Sequence, residues 1–214
     1  MMNHSEVVLY GAGGAGKELA MSLMRGKQWH VKGFVDDTMM TGTIVNGVQV
    51  LGGMEWLEHY DGYVAMCIVN NPIVKRMLIE RIKETSQATF PLMLNEDSII
   101  SEGVNWGEGC VVAHPWNFIT CNIKIGKFVW INTRCDIGHD VEIGCYSTLF
   151  TRINVGGGVH IGKDCVIGTG VTIKPGVTIG DGCIIGGGAV VVKDIPDGMV
   201  AAGCPAKIIK ANGA

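Results

Sequence analysis

No apolar stretch in this sequence approaches the roughly 18 residues that a bilayer span requires; the longest, "YVAMCIV" from Tyr63 to Val69, ends well short of it. Excess charge of either sign is also missing. Lys and Arg number 17 against 20 Asp and Glu, and a formal charge of −3 with a pI near 6.0 offers no basic field to a polynucleotide. Any phosphate the protein recognises is therefore met locally, on a small molecule. The eight cysteines show no C-x-x-C spacing and no Cys/His ligand pattern, which argues against a metal site and fits reduced core thiols in a reducing compartment. The start, "MMNHSEVVLYGAGG", lacks the basic n-region of a secretory leader. The expectation is a soluble, cytoplasmic protein with no nucleic-acid or membrane partner and no metal.

What is present is a ruler. From Ile125 to Val191 an aliphatic residue occupies every sixth position: Ile125, Ile131, Ile137, Ile143, Leu149, Val155, Ile161, Ile167, Ile173, Ile179, Ile185 and Val191. Glycine follows it in eight of these twelve hexads, and the fifth position is always Val, Cys, Ser, Ala or Ile. Neither a helix nor a flat strand has a period of six. A triangular solenoid does, with three short strands per turn, one inward set on each face and a tight corner between faces; glycine at the corner is read as supplying turn freedom. The series continues upstream as Ile100, Trp106, Val112 and Phe118 and then slips by one residue before Ile125, giving about five turns. Cys165 and Cys183, eighteen residues apart, are expected to stack one turn above the other as small buried hydrophobes. A β-sandwich lacks such an exact register.

The segment before the ruler reads as a small α/β unit. "EVVLY" is a buried strand, "GAGGAGK" a turn, "KELAMSLMRG" a helix and "VKGFVDD" a second strand; "GYVAMCIV" is a third, and Asn71-Pro72 starts a second helix. Gly11, Gly13 and Gly16 match G-x-G-x-x-G between a strand and a helix, with Asp36 and Asp37 at the end of the next strand. Backbone N–H groups at such a helix start face phosphates, and strand-end carboxylates accept from ribose or base. The same letters run as G-x-x-x-x-G-K to Lys17, but Glu18 stands where a P-loop needs Ser or Thr for magnesium. A glycine turn that only packs helix on sheet is the alternative. The fold class expected is thus α/β plus all-β, a Rossmann-like unit over 1–94 followed by a parallel β-helix over 95–214 with a short tail.

His139 lies third in its hexad, at a corner where side chains point outward, and Asp140 follows it. A histidine's ordinary pKa of about 6.5 suits proton transfer near neutrality, and an adjacent carboxylate can orient the ring. Gly157, one turn along in register with His139, could offer an unobstructed N–H to an oxyanion. A surface histidine beside a surface acid is the alternative. His114 reads as a corner residue and His160 as a surface one.

Over nearly its whole length, in "YGAGGAGKE", "FVDD", "INTRCDIGHD", "VGGGVHIG" and "IGGGAVVVKDIPDGMVAAGCPAK", the chain resembles the sialic acid O-acetyltransferase-like family. These are bacterial sugar acetyltransferases with a left-handed β-helix, and they include N-acetyltransferases of UDP- and GDP-linked amino sugars. The resemblance implies transfer from acetyl-CoA to a nucleotide-activated amino sugar in surface-glycan (polysaccharide) biosynthesis, by a homotrimer with the coenzyme in the cleft between neighbouring solenoids. It implies His139 as general base, its basicity raised by Asp140; coenzyme contacts at Thr148, Gly157, Thr169, Gly187 and Lys207; and nucleotide contacts at Gly13, Gly14, Ala15, Asp36 and Asp37. Thr148 stands where relatives often carry a second histidine, Ala15 replaces the histidine of "GxGHGK", and Val69 replaces a glycine. Two other outcomes are open: O-acetylation of a sialic-acid-type sugar, and a non-catalytic nucleotide-sensing scaffold.

Overall fold

The computed structural model describes residues 5–213. Residues 1–4, the first of the segment read as lacking a leader, and residue 214 lie outside the described residues. The chain divides between Pro91 and Leu92 into two compact units. In the first, β1 (Ser5–Tyr10), α1 (Gly14–Arg25), β2 (Trp29–Val35), β3 (Ile44–Val45), β4 (Val48–Gly52), β5 (Tyr63–Met66) and α2 (Pro72–Thr85) build a sheet of order β3-β4-β2-β1-β5. Its pairs are parallel except for the β3–β4 hairpin, which the sequence reading leaves out. Val7, Val8, Leu9 and Phe34 are fully buried, as a strand covered on both faces requires. The Asn71 side chain accepts a hydrogen bond from Val74 N at the start of α2, with Pro72 in the first turn.

The second unit is a coil of two-residue strands on three faces. The first face runs Met93–Leu94, Val111–Val112, Trp130–Ile131, Thr148–Leu149, Val166–Ile167 and Ile184–Ile185, and is closed by Met199–Ala202 paired antiparallel with Lys207–Ala211. The second runs Ile99–Ile100, Phe118–Ile119, Asp136–Ile137, Asn154–Val155, Thr172–Ile173 and Val190–Val191; the third Asn105–Trp106, Lys124–Ile125, Glu142–Ile143, His160–Ile161 and Thr178–Ile179. All twelve aliphatic residues of the ruler are at most 4 % exposed, and the fifth-position residues form the rest of the core. Cys165 and Cys183 are buried on neighbouring turns. Each fully buried aliphatic side chain contributes about 1.5–3 kcal/mol, so the uninterrupted column holds the coil together.

Three details differ from the sequence reading. The inward residue of its strand is Ile119, fully buried, while Phe118 is 46 % exposed. From Phe118 to Val191 strand partners are eighteen residues apart, but Ile100 pairs with Ile119; the extra residue therefore sits between Val112 and Ile119, one strand earlier than expected. Met93–Leu94 already pairs with Val111–Val112, so the coil begins before residue 95. The third difference is the purpose of the glycines. Those that follow the ruler residues carry no positive φ; a Cβ at Gly138 would stand 2.7 Å from Gly157 N, and one at Gly168 2.6 Å from Gly187 N. They are glycine because the next turn passes too close for a side chain. The left-handed residue comes two positions later and recurs at every sixth residue from Trp116 to Gly188, eight of them non-glycine, Asn122, Arg134, Asp140 and Arg152 included.

Candidate active site

Asp140 occupies one of these left-handed corners, φ +58°, a conformation in which short polar residues are among the better tolerated. The corner lies between the second and third faces, so both His139 and Asp140 point outward, their side chains 67 % and 57 % exposed. His139 Nδ1 is 2.7 Å from Asp140 Oδ2. The contact with His139, and then an amide hydrogen bond from Asn122 Nδ2 to Oδ1 at 3.1 Å, hold the Asp140 carboxyl below its ordinary range. An ionised carboxylate only accepts, so in the neutral ring the Nδ1 nitrogen carries the proton and Nε2 keeps its lone pair.

One turn along, Gly157 lies beneath that nitrogen. A Cβ there would be 2.5 Å from Nε2 and 2.6 Å from Cε1 of His139, so the absent side chain is the space the ring uses. Backbone bonds tie the same corner together: Gly158 N donates to His139 O at 2.7 Å, and Gly176 N to Gly157 O at 3.0 Å. At equivalent corner positions the N–H groups of Lys163 and Asp181 are capped by the carboxylates of Asp181 and Asp197. Among the described residues the Gly157 N–H has no such cap. Beside this corner, the second face bears an open groove of about 390 Å³ bordered by Asp136, Gly138, Asn154, Thr172 and Lys174.

The other expected coenzyme residues lie elsewhere on the coil. Thr169 and Gly187 are exposed at the corner between the first and second faces, stacked so that Gly188 N donates to Thr169 O at 2.8 Å; the second face separates them from His139 within one chain. Lys207 is exposed on the closing antiparallel strand. Thr148 departs from the expectation: it lies on the first face between Trp130 and Val166 and has no exposed surface.

In the first unit the glycine turn and the acidic pair do meet. Gly11 has φ +103°, and a Cβ at Gly16 would overlap Gly11 O, so both are needed for the turn to press against the helix. Gly13, Gly14 and Ala15 open α1 without a side-chain cap, and a Cβ at Gly13 or Gly14 would meet nothing; their N–H groups and the helix dipole face outward. Asp36 Oδ2 accepts from Ala12 N at 2.8 Å and Oδ1 from both Thr38 N and Thr38 Oγ1. Burial alone would raise the Asp36 pKa, but these hydrogen bonds outweigh it and hold it below the usual value. Asp37 accepts from Met54 N and the Tyr10 hydroxyl; burial first, then Asp37, pushes the Tyr10 phenol up. Asp36 thus braces the turn, while Asp37 ties Tyr10 to Met54 N. Thr38, Tyr10 and Asn122 carry no motif signal, although Asn122 stands eighteen residues before Asp140, the spacing of one turn.

Comparison with known proteins agrees with both halves. Residues 6–82 match the PglD N-terminal domain model, and residues 154–193 match the bacterial transferase hexapeptide (six repeats) model. Curated sequences give no match. Among solved structures, the acetyltransferase domain of PglB from Neisseria gonorrhoeae FA1090 is 28 % identical, with 96 % of this chain and 100 % of that one covered and a TM-score of 0.86. PerB from Caulobacter crescentus, solved with CoA and GDP-perosamine, is 26 % identical over 98 % of this chain and 99 % of that one, TM-score 0.78. A histidine-to-alanine variant of GDP-perosamine N-acetyl transferase from the same organism, also with CoA and GDP-perosamine, is 27 % identical over 98 % of each chain, TM-score 0.78. With its PglD-type first unit and hexapeptide-repeat coil, the chain is similar over nearly its whole length to these acetyltransferase structures.

Proposed function

We propose that this protein transfers the acetyl group of acetyl-CoA to the amino group of a nucleotide-linked sugar used in surface-glycan assembly. The observation that carries the reading is the exposed His139–Asp140 pair with Nε2 left free above Gly157, in a chain similar to structures that hold CoA and GDP-perosamine. The acceptor amine attacks the thioester carbonyl. His139 Nε2 takes the proton the amine must lose, the adjacent Asp140 carboxylate stabilises the cation formed, and the uncapped Gly157 N–H is a donor for the developing oxyanion. The tetrahedral intermediate then expels the coenzyme thiolate, and no covalent enzyme intermediate is needed.

In this reading the first unit binds the nucleotide, the phosphates at the uncapped start of α1, and the coil carries out the transfer. Acetyl-CoA is the co-substrate, with Thr169, Gly187 and Lys207 as its contacts. Because Thr169 and Gly187 lie across a face from His139, the coenzyme site is completed by a neighbouring copy, which makes the active form a closed homotrimer. No helix among the described residues is long and apolar enough to cross a membrane, and the protein is expected to act in the cytoplasm, where its activated substrates are made. Incubation with acetyl-CoA and a panel of UDP-, GDP- and CMP-linked amino sugars, read by product mass, tests the reaction, and light scattering tests the assembly. Acetylation of a sugar hydroxyl instead of the amine, or of nothing in the panel, overturns the reading; a monomer overturns the shared cleft.

A further inference from the structure

We propose that Asn122 is a positioning residue for His139, a role that rests on the reading of this corner as the acetyl-transfer site. Asn122 sits at the same corner one turn below Asp140, also in the left-handed region at φ +58°, and the two turns are tied by Asp140 N donating to Cys121 O at 3.1 Å. Its amide nitrogen lies 3.1 Å from Asp140 Oδ1 while Oδ2 faces His139 Nδ1 at 2.7 Å. The carboxylate is therefore held at both oxygens. Without the amide it is held at one, and an exposed aspartate can rotate away from the ring.

The consequence concerns which nitrogen is the base. A histidine released from its acceptor reverts toward the Nε2–H tautomer that an unconstrained histidine side chain prefers, and that form carries its proton on the nitrogen facing the reaction. Asn122 touches neither the ring nor the space beside Nε2. It acts by keeping Asp140 turned toward Nδ1, and so keeps the lone pair on Nε2, over Gly157. The corner is a stack of three turns with divided roles: Asn122 sets the acid, Asp140 sets the ring, and Gly157 leaves it room. Later turns of the same corner, at Gly158 and Gly176, are left-handed glycines, so a side chain at 122 is not required by the turn itself.

The test is the Asn122→Gly variant, which keeps a left-handed corner and removes only the amide. Ring-nitrogen shifts in protein labelled with 15N-histidine, assigned to His139 by their loss in His139→Asn, report the tautomer without any need for turnover. The unaltered chain is expected to show mainly Nδ1–H in its neutral ring. Asn122→Gly is expected to move the population toward Nε2–H and to lower kcat by about two- to fivefold, the scale of one exposed polar contact, with KM for acetyl-CoA unchanged. Arg152→Gly, the same replacement at another exposed left-handed corner, is expected to leave the His139 signals as they were. An unchanged tautomer in Asn122→Gly overturns the proposal whatever the activity. If the unaltered chain transfers no acetyl group, the proposed function falls, and the ring measurement still decides whether Asn122 positions His139.

Discussion

Gly157→Ala separates the room a glycine leaves from the N–H it carries. Its φ is not positive, so alanine fits the backbone, and its N–H survives the change. The added methyl would stand 2.5 Å from His139 Nε2, 2.6 Å from Cε1 and 3.0 Å from Cδ2, where ordinary contact begins near 3.4 Å. The ring must retreat by about 1 Å, and a displacement of that size at a reacting group lowers the rate by roughly 10²-fold, about 2.7 kcal/mol in the barrier. Because an exposed ring can move without opening a cavity, stability is expected to change by no more than about 0.5 kcal/mol. Steady-state kinetics and thermal unfolding on the same preparation check both numbers. The matched comparison is Gly138→Ala, whose methyl would meet backbone atoms, Gly157 N at 2.7 Å and Gly156 C at 3.0 Å, and is expected to destabilise the coil itself. If Gly157→Ala keeps kcat within twofold, the ring does not work where the structure puts it. If only KM for acetyl-CoA rises, the residue touches the coenzyme and not the base.

His139→Asn is expected to lower kcat by about 10²–10⁴-fold, with acetyl-CoA affinity by calorimetry unchanged; near-normal turnover would falsify the assignment of the base. Asp36→Ala removes the acceptor of Ala12 N and Thr38 and is expected to raise KM for the nucleotide sugar about five- to hundredfold through the loosened turn, while KM for acetyl-CoA stays; equal weakening toward both substrates would place the turn outside the acceptor site. The same carboxylate has a depressed pKa when folded, so its contribution is present above the ordinary carboxylate pKa of about 3.9 and is lost as pH falls through the folded value; in urea unfolding across the acid range, Asp36→Asn is expected to show a shallower decline, and an unchanged slope refutes the linkage. Among the thiols, exposed Cys121 and Cys204 are expected to alkylate first. Burial pushes the Cys67 thiol up and Cys135 up to about 11, so both should label only on unfolding, which peptide mapping reads.

The coil was legible because its core is periodic in the letters themselves: twelve aliphatic residues at a spacing of six specify three faces and a stack without any knowledge of contacts. The reading fails where two apolar residues are adjacent. Phe118 and Ile119 both satisfy a hydrophobic test, and only the nineteen-residue pairing of Ile100 with Ile119 shows which one faces in. It fails again where one letter answers two demands, since a glycine required by a positive φ and one required by a passing backbone are written alike. Thr148 shows what spacing leaves out: a residue that points outward from its strand is exposed only if nothing covers it, and sequence does not show what covers a face.

Asn122 is a different case, because the information was present. From Phe118 to Val191 the pairing distance is eighteen, so adding eighteen to a residue names its neighbour on the next turn: Asn122 to Asp140, His139 to Gly157, Cys165 to Cys183. A motif search looks along the chain and finds the acid beside the histidine, whereas a solenoid builds its site across the chain, and the third member of the cluster lies a full turn away. The first unit has no comparable ruler. Its β1–β2 register shifts between Val7 and Val8, and the bonds from Ala12 to Asp36 and from Tyr10 to Asp37 span 24 and 27 residues through an irregular pairing. Spacing there identifies a glycine turn and an acidic pair but not which atoms they satisfy: Asp36 holds Ala12 N and Thr38, and Asp37 holds Tyr10 and Met54 N.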